Sequence, residues 1–514
     1  MNEKKDVPPG LSEMTTRGFY GIMEKMCMKM HTFWEKEQQE VESLYEKLVA
    51  YGAGDACPFH MPGHKRNMGK WGFADPFSFD ITEIDGFDNL HHAEGILKQA
   101  EERAAELYGS EETHYLVNGS TSGILAAISG CTAAGGTVLL ARNSHKSAYH
   151  AVLLRGLHVH YIYPQPAGKM GINGPVTAEN VDRLLEEHPE TKMVYITSPT
   201  YDGVVSDVEQ IAEVVHRRKL PLIVDEAHGA HFPFSEQFPK DSVSCGADVV
   251  IHSVHKTLPS LTQTALIHLN GDLINREKIR YFLGVYQSSS PSYVMMAGID
   301  QCIEWVSSHR KEFDSFAQRL QEVRAELRKL QALELLEVPG IDPSKILLSG
   351  RRYGVTGNEL SDMLREDFHI ELEMACGEYA CALTSVADRQ EDLRRLLEAC
   401  RKLDEKILRE RNQVPEKQYG TDTVLKTRHA GTIQETFEQP SFWCDLKASD
   451  GKVSSGFVIP YPPGIPLLVP GEEVTEEIRD RILRYVQDGL TVYGCENQKI
   501  KVVGKQETWE KYFV

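Results

Sequence analysis

The stretch Ser253-Val254-His255-Lys256-Thr257 follows directly on an apolar run at residues 248–251, and it places a lysine just beyond a predicted buried strand. An amine in the floor of a cleft can lose its proton and form a Schiff base with a carbonyl group. A lysine after a strand can equally be an ordinary surface residue. The other strand ends of the chain must decide between these two interpretations of Lys256.

The composition is that of an ordinary globular protein with room for more than one domain. The chain has 514 residues, of which 41% are hydrophobic and 25% are charged, and this is enough to bury a large core. Its formal net charge is −19, whereas a nucleic-acid binder needs clustered Lys and Arg. We therefore expect no nucleic-acid partner, and an acidic surface suits cationic ligands better.

The spacing of the cysteines and the hydropathy of the chain indicate the cellular compartment of the protein. The ten cysteines form no CxxC pair and no Cys/His array at zinc-ligand spacing, so we expect neither a metal site nor a disulfide framework. The amino terminus lacks the apolar core of a signal peptide, and no apolar run approaches the length of about 18 residues that a membrane helix needs. These features predict a cytoplasmic protein that does not span a membrane.

From about residue 113 to residue 269 the sequence alternates between short β-rich runs and amphipathic helices. Such alternation predicts an α/β fold with a mostly parallel sheet covered by helices on both faces. In sheets of this kind ligands bind beyond the carboxyl ends of the strands. The predicted strands are 137–141, 158–163, 193–197, 222–225 and 248–251, and the clearest predicted helices are 177–187 and 208–218.

The sequence on either side of this alternating region predicts the domain boundaries and further helices and strands. We expect an amino-terminal extension at 1–40, a large domain at 41–333 that ends in one long helix over 297–333, and a smaller α+β domain at 334–514. The polar stretch 411–439 predicts an exposed loop or insertion. The other predicted helices are 41–51, 358–366, 389–410 and 474–490, and the other predicted strands are 333–338, 345–349, 370–374 and 379–385.

Residues 118–123, Asn-Gly-Ser-Thr-Ser-Gly, lie between a predicted strand and a predicted helix. The free backbone N–H groups of a helix's first turn, together with the hydroxyls of Ser120 and Thr121, can hold an anion such as a phosphate. An ordinary helix N-cap has a similar composition. The segment is a candidate phosphate site.

Two further strand ends carry chemically distinct groups. Asp225 ends a strongly apolar strand, and a buried carboxylate needs a cation such as the pyridinium nitrogen of pyridoxal phosphate (PLP). His145 follows another strand, where its flat ring can stack on an aromatic cofactor or simply cap a helix. Each group alone has a structural explanation. Phosphate donors, a stacking group, a carboxylate and Lys256 at four separate strand ends together indicate PLP chemistry.

A series of ordered motifs spans residues 59–471. They are Phe59-His60-Met61-Pro62-Gly63-His64-Lys65, Leu90-His91-His92-Ala93-Glu94-Gly95, 118–123, 142–147, Thr197-Ser198-Pro199-Thr200-Tyr201, 225–231, 253–256, Gln287-Ser288-Ser289-Ser290-Pro291-Ser292-Tyr293 and Tyr461-Pro462-Pro463-Gly464-Ile465-Pro466. In these motifs the chain resembles the PLP-dependent ornithine/lysine/arginine decarboxylases of bacterial type, in their short form, which have PLP fold type I, the aspartate aminotransferase fold. It departs from many relatives at Ala93, where they carry proline.

The resemblance implies a role for each matching residue. Lys256 would hold PLP as a Schiff base, Asp225 would pair with the ring nitrogen, and His145 would stack on the ring. After CO2 leaves, Lys256 or His255 would deliver the proton. Because Ser288 or Ser289 would come from a neighbouring subunit, a homodimer would be the smallest functional unit. The implied cofactor-binding residues are Ser120, Thr121, His145, Asp225, His228, Ser253, His255, Lys256, Ser288 and Ser289.

The resemblance also implies the reaction, decarboxylation of a basic amino acid. Arginine to agmatine is favoured because short forms often take arginine, while lysine and ornithine stay open. Transamination and a degenerate, non-enzymatic relative are more remote alternatives. A distal ammonium or guanidinium group needs a carboxylate at the far end of the pocket. The candidates, each of which could equally be a solvated surface acid, are Glu83, Asp85, Asp88, Glu373 and Glu472.

Overall fold

The computed structural model describes residues 44–67, 73–168, 171–414, 425–461, 464–487 and 489–504. The predicted extension at residues 1–40 lies outside them. The chain divides into two compact units, Met1–Asp55 and Ala56–Val514. In the first unit helix α1 (Leu44–Ala53) forms at the predicted place, and its large apolar side chains are exposed.

In the second unit strands and helices alternate from the start. All five strands expected between residues 137 and 251 form, with ends that differ from the predicted ones by two residues at most. The elements of this part are β1 (Cys57–Phe59), α2 (Ile96–Tyr108), β2 (Glu112–Leu116), α3 (Gly119–Cys131), β3 (Thr137–Ala141), α4 (Lys146–Arg155), β4 (His158–Ile162), β5 (Pro166–Ala167), β6 (Ile172–Asn173), α5 (Ala178–Glu187), β7 (Thr191–Thr197), α6 (Val208–His216), β8 (Leu222–Asp225), β9 (Val249–His252), α7 (Val254–Thr257), β10 (Ala265–Leu269), α8 (Arg276–Tyr286), α9 (Tyr293–Ser308) and α10 (Arg310–Leu327).

One large sheet has the strand order β2-β10-β9-β8-β7-β3-β4. β10 is antiparallel to both of its neighbours, whereas the contiguous pairs from β9 to β4 are all parallel. Every residue of β8 and β9 is buried, as expected when helices cover both faces of a parallel sheet. The predicted mostly parallel sheet is confirmed.

The carboxyl ends of the parallel strands meet at one edge of this sheet. Thr197, the last residue of β7, pairs with Asp225, the last residue of β8, and Asp225 pairs with Ile251 of β9. β9 is followed at once by the short helix α7, which carries Lys256. The register therefore collects the side chains that follow these strands at one edge, where ligands bind in folds of this kind.

The single long helix predicted at residues 297–333 is wrong. Two helices, α9 and α10, form instead, and His309 between them has φ −126° and ψ 30°, which lies outside the helical region. The hydroxyls of Ser307 and Ser308 donate to the carbonyl of Glu304, and such bonds compete with the regular helical ladder. The apolar period continues across the break, so the pattern alone did not reveal it.

Beyond residue 333 the chain builds smaller sheets over two separate hydrophobic clusters. One sheet joins residues 334–335, 345–349, 380–383 and 374–375 in that spatial order, and another joins residues 441–445, 499–503 and 495–496. The mixture of helices and strands agrees with the predicted α+β class, and the domain boundaries stay a prediction. The elements are β11 (Glu334–Leu335), β12 (Lys345–Ser349), α11 (Gly357–Phe368), β13 (Ile370–Leu372), β14 (Met374–Ala375), β15 (Ala380–Leu383), α12 (Gln390–Glu410), α13 (Ile433–Phe437), β16 (Ser441–Asp445), β17 (Ile459–Tyr461), α14 (Glu476–Gln487), β18 (Thr491–Tyr493), β19 (Cys495–Glu496) and β20 (Lys499–Val503).

The strand predicted at residues 370–374 is divided between two sheets. β13 pairs in parallel with β1, and β14 pairs with β15 in antiparallel fashion. Glu373 is the one residue between β13 and β14, so it stands where the chain changes partner strands. This break determines where the Glu373 carboxylate lies.

The described second half of the exposed loop predicted at residues 411–439 is mostly exposed, but it is not simply a loop, because it contains a short helix and a few buried residues. Leu425 and Ile433 are only 5% and 3% exposed. Thr432 and Glu435 form a reciprocal capping box that begins α13, a common start of a stable helix. Polar residues dominate the stretch and obscured these few apolar anchors.

Helix length and hydropathy bear on membrane association. The long helix α12 has 21 residues but is strongly charged. No helix in the described part of the chain is long and apolar enough to cross a membrane.

Candidate active site

A cleft of about 520 Å³ opens at the carboxyl edge of the large sheet. Its walls combine the ends of β7 and β8, the start of α3, the short helix α7 and residues from the smaller sheets. Most of the predicted site residues meet here. Those that line the cleft are Ser120, Thr121, His145, Asp225, His228, Ser253, His255, Lys256 and Glu373.

One end of the cleft is built to hold an anion. α3 begins here at Gly119, whose φ of +72° is strained for any residue with a side chain. Asn118 at the N-cap makes no side-chain capping bond, so the first-turn N–H groups are available to a ligand. Ser253 is fully buried, and its hydroxyl has no hydrogen-bond partner among the residues that the structure describes. An unpartnered buried hydroxyl beside a helix amino terminus fits a phosphate group.

Asp225 is buried at the end of β8. Its Oδ2 accepts a hydrogen bond from the Tyr195 hydroxyl at 3.2 Å, and its Oδ1 accepts one from the Ala227 backbone N–H at 3.2 Å. Burial raises the pKa of this carboxyl, although the nearby Lys256 charge opposes the shift. A carboxyl held in this way gains from a permanent cation such as a protonated ring nitrogen.

His145 presents a flat, neutral ring to the cleft. Its Nδ1 lies 2.6 Å from the Ser147 hydroxyl, which fixes the ring at the start of α4. Gly464 lies against the ring, because a Cβ added there would come within 3.3 Å of two ring atoms. Burial, aided by the Lys256 charge, lowers the pKa of His145 to about 3. A fixed uncharged ring suits stacking on an aromatic cofactor.

The two basic residues of α7 have different environments. The Lys256 Nζ lies 3.0 Å from the His228 Nε2, and burial lowers the pKa of Lys256 to about 8. The His255 Nδ1 lies 2.8 Å from the Thr264 carbonyl oxygen, and burial lowers the pKa of His255 to about 4. Lys256 is thus much closer than an ordinary lysine to the free amine that attacks an aldehyde.

Glu373 also lines the cleft. The Tyr201 hydroxyl donates to its Oε1 at 2.6 Å, and the Met61 backbone N–H donates to its Oε2 at 2.8 Å. Of the five carboxylates considered from the sequence, it is the one among the cleft-lining residues. Its position between β13 and β14 was not evident from the sequence.

The other acidic candidates and two serines lie elsewhere. Glu83 and Asp85 do not line the cleft. Asp88 accepts backbone N–H donors from the start of α2 and the loop before it, and this is a capping role. Ser288 and Ser289 are exposed and outside the cleft of the single chain.

Glu472 requires a correction, because it cannot reach a substrate. It is fully buried, and its Oε2 accepts from the Arg142 guanidinium at 3.0 Å. The Thr427 hydroxyl donates to its other oxygen at 2.7 Å. Glu472 was a candidate because a distal cation needs a carboxylate, but the structure makes it half of a buried ion pair.

Replacing Glu472 with glutamine is expected to lower the free energy of unfolding by about 3–5 kcal/mol, because the buried Arg142 charge would lose its partner. Urea unfolding of the full chain measures this, with the neighbouring Glu473→Gln as the control. A loss below about 1 kcal/mol, together with a raised KM, would contradict the structural role and restore the substrate hypothesis.

The sequence pattern gives no sign of Lys345, the first residue of β12. Its side chain is fully buried, and its Nζ lies 2.8 Å from the His228 Nδ1. A lysine that precedes an apolar strand is usually exposed. Its burial depends on the way the smaller sheet packs behind the cleft.

A separate group of possible metal ligands, His160, His188 and Glu190, does not line the cleft. The two imidazole rings stack 3.4 Å apart at an angle of 10°. A ring nitrogen binds metal through a lone pair in the plane of its ring, so one ion cannot serve two parallel stacked rings. The group is therefore a stacked pair beside a carboxylate.

Comparison with known proteins gives this geometry its context. The family model described as "Orn/Lys/Arg decarboxylase, major domain" matches residues 42–347, and the model of the family's C-terminal domain matches residues 413–491. An arginine decarboxylase of Bacillus subtilis is 30% identical over 90% of this chain and 98% of its own length. An arginine decarboxylase of Halalkalibacterium halodurans is 29% identical over 91% of this chain and 98% of its own length.

The fold resembles the crystal structure of the Francisella novicida lysine decarboxylase with a TM-score of 0.71 and a sequence identity of 19%. The superposed region covers 94% of this chain and 84% of that protein's chain. This likeness confirms the predicted fold class. A family model that matches more than half of the chain settles the membership. The chain belongs to the Orn/Lys/Arg decarboxylase family and is an amino-acid decarboxylase.

Proposed function

We propose that this protein decarboxylates arginine to agmatine with PLP held on Lys256. The observation that carries the proposal is the cleft itself, which Lys256, Asp225 and His145 line together with the start of α3 and with the Ser253 hydroxyl, which has no partner among the described residues. Arginine is favoured because three relatives that match about 90% of the chain are named arginine decarboxylases.

The residues of the cleft fit the parts of PLP one by one. Ser120, Thr121 and Ser253 would hold the phosphate. Lys256 would hold the aldehyde carbon, and Asp225 would neutralise the ring nitrogen. When bound, PLP supplies a conjugated ring that takes up the electrons left behind as CO2 departs.

The proton that replaces CO2 comes from Lys256 rather than from His255. A neutral imidazole has a single N–H, and His255 directs its Nδ1 at the Thr264 carbonyl oxygen. The low pKa of His255 leaves its other nitrogen without a proton near neutral pH. Lys256 carries an ionisable proton close to neutrality and faces the same cleft.

Glu373 binds the distal guanidinium of the substrate. A carboxylate has about four lone-pair sites, and the Tyr201 and Met61 donors occupy two of them. Two remain for the parallel N–H groups of a guanidinium, which pairs with carboxylates in a bidentate manner. Tyr201 and Met61 fix the direction of the carboxylate, and a fixed carboxylate selects a substrate by length.

Glu373→Gln is expected to lower kcat/KM for arginine about 10- to 100-fold, since a charge-assisted bond worth about 1.5–3 kcal/mol is lost. The change should fall mainly on KM, because Glu373 binds a remote group of the substrate in ground state and transition state alike. Steady-state kinetics measure it, with Glu371→Gln on the same strand region as the matched control. A fall in kcat alone would contradict a role in distal binding.

The active unit is a homodimer. Ser288 and Ser289 are exposed on one chain and do not line its own cleft, which supports a role for their side chains in the site of a second subunit. The helix just before them, α8, exposes Tyr281 and Val285 at 70% and 54%, and such apolar side chains favour a subunit contact.

Offering arginine, lysine and ornithine in parallel to the PLP-loaded protein, and identifying the amine formed, tests the proposed function. Agmatine with equimolar CO2 is the expected product. Cadaverine or putrescine as the main product would overturn the choice of arginine, and a keto acid in place of CO2 would indicate transamination.

A further inference from the structure

His228 lies between the side chains of two lysines that come from different parts of the chain. Its Nε2 is 3.0 Å from the Lys256 Nζ, and its Nδ1 is 2.8 Å from the Lys345 Nζ. Lys345 is 117 residues away in sequence and is fully buried on β12. A continuous line of nitrogen atoms thus runs from the smaller sheet to Lys256.

The N–H groups and lone pairs of the Lys345, His228 and Lys256 side chains limit how many protons the three can carry together. A neutral imidazole has one N–H and one lone pair, whereas a lysine ammonium has three N–H groups and no lone pair. Burial, together with the two lysine charges, lowers the pKa of His228 well below its ordinary value, so its ring is neutral. If both contacts are hydrogen bonds, one of the two lysines must be a neutral amine.

The surroundings determine which lysine this is. Although burial opposes its ionisation, the pKa of Asp342 is lowered by His231, Ser344 and Lys345, so an anionic carboxylate faces Lys345. Burial and the Lys345 charge favour the free amine of Lys256 and outweigh the carboxylates of Asp225 and Glu373, so that the pKa of Lys256 is lowered to about 8. The titratable groups that surround Lys256 are Asp225, Glu373, His145, His228 and His255. Those that surround Lys345 are Lys65, Asp202, Asp342, Cys381 and His228.

We propose that Lys345 is a positioning residue, which fixes His228 as the Nε2–H tautomer and so keeps Lys256 as the free amine that binds the cofactor. The Lys345 ammonium donates to the His228 Nδ1, and the remaining His228 Nε2–H donates to the Lys256 lone pair. The inference rests on the proposed role of Lys256. It adds a residue from the smaller sheet that acts without touching substrate or cofactor.

Lys345→Met and His228→Phe each break the line and keep a side chain of similar shape. In the full chain freed of cofactor, the pH dependence of Lys256 acetylation, followed by peptide mass spectrometry, gives its apparent pKa. We expect this pKa to rise by one unit or more in both variants, which lowers the free-amine fraction at pH 7 about tenfold. An unchanged pKa in either folded variant would overturn the proposal.

Lys278→Met is the matched control, because Lys278 donates to a backbone carbonyl between α3 and β3 and does not line the cleft. It should leave the Lys256 pKa unchanged, and a shift equal to that of Lys345→Met would overturn the proposal. Circular dichroism establishes that each variant is folded. His228→Phe tests the same link if Lys345→Met does not fold.

The double variant separates a path through His228 from a direct effect of the Lys345 charge. If Lys345 acts through His228, Lys345→Met should shift the Lys256 pKa less than half as far in the His228→Phe background as in the wild type. Full additivity of the two shifts would overturn the path. Borohydride trapping of PLP on a lysine other than Lys256 would instead overturn the proposed function, whatever the acetylation data show.

Discussion

Lys256→Ala is expected to lower the rate of decarboxylation by at least about 10⁴-fold, because the cofactor loses its covalent anchor and the reaction loses its proton donor. Both duties belong to one amine, which lies in the cleft floor beside His228. The variant should also fail to become covalently attached to PLP. Single-turnover measurement of CO2 release, together with the absorption of the PLP-loaded protein, checks both outcomes.

The control for this loss is Lys192→Ala, which removes an exposed lysine from β7 of the same sheet. It should retain full activity and cofactor attachment. Activity in Lys256→Ala within tenfold of the wild type would show that another amine does the chemistry. The assignment of Lys256 would then be wrong, while the family membership would stand.

Asp225→Asn is expected to lower kcat about 10²- to 10³-fold, the usual effect of removing one preorganised charge from a reacting centre. The amide keeps the shape of the side chain: its oxygen can still accept from the Ala227 N–H, and its NH2 group can donate to the Tyr195 hydroxyl oxygen in place of the bond that the carboxylate accepted. It cannot neutralise a positive ring nitrogen. The loss should therefore appear in kcat, with little change in the stability of the protein.

Asp248→Asn provides the matched control for Asp225. Asp248 is also buried, and it accepts from the Leu222 backbone N–H and lies 2.8 Å from a His216 ring nitrogen, directly before β9. That position is at the opposite edge of the sheet from the cleft, so this variant should lose stability and keep its kcat. Equal kcat losses in the two variants would show that Asp225 acts through the fold alone.

The sequence predicted the sheet and the cofactor end of the site because both depend on local pattern. β8 and β9 are short apolar runs with a polar residue at the boundary, and the parallel register then brings Asp225 and the segment of Lys256 to one edge. No long-range information was needed for this step, since the carboxyl ends of parallel strands always meet.

Other features depend on contacts between distant residues and could not be predicted from the sequence. Glu472 was a candidate for binding the distal cation, but it pairs with Arg142, which lies 330 residues earlier. Lys345 begins an ordinary apolar strand and becomes important only because His228 lies beside it. The break at His309 follows from side-chain bonds within one turn, which an apolar period does not report.

The most direct test of the account is to find the lysine that binds PLP. The PLP-loaded full chain is reduced with borohydride, digested and analysed by peptide mass spectrometry. The account predicts one phosphopyridoxyl group per chain, on Lys256. Attachment to Lys345, to Lys65 or to a surface lysine, or no attachment at all, would contradict it.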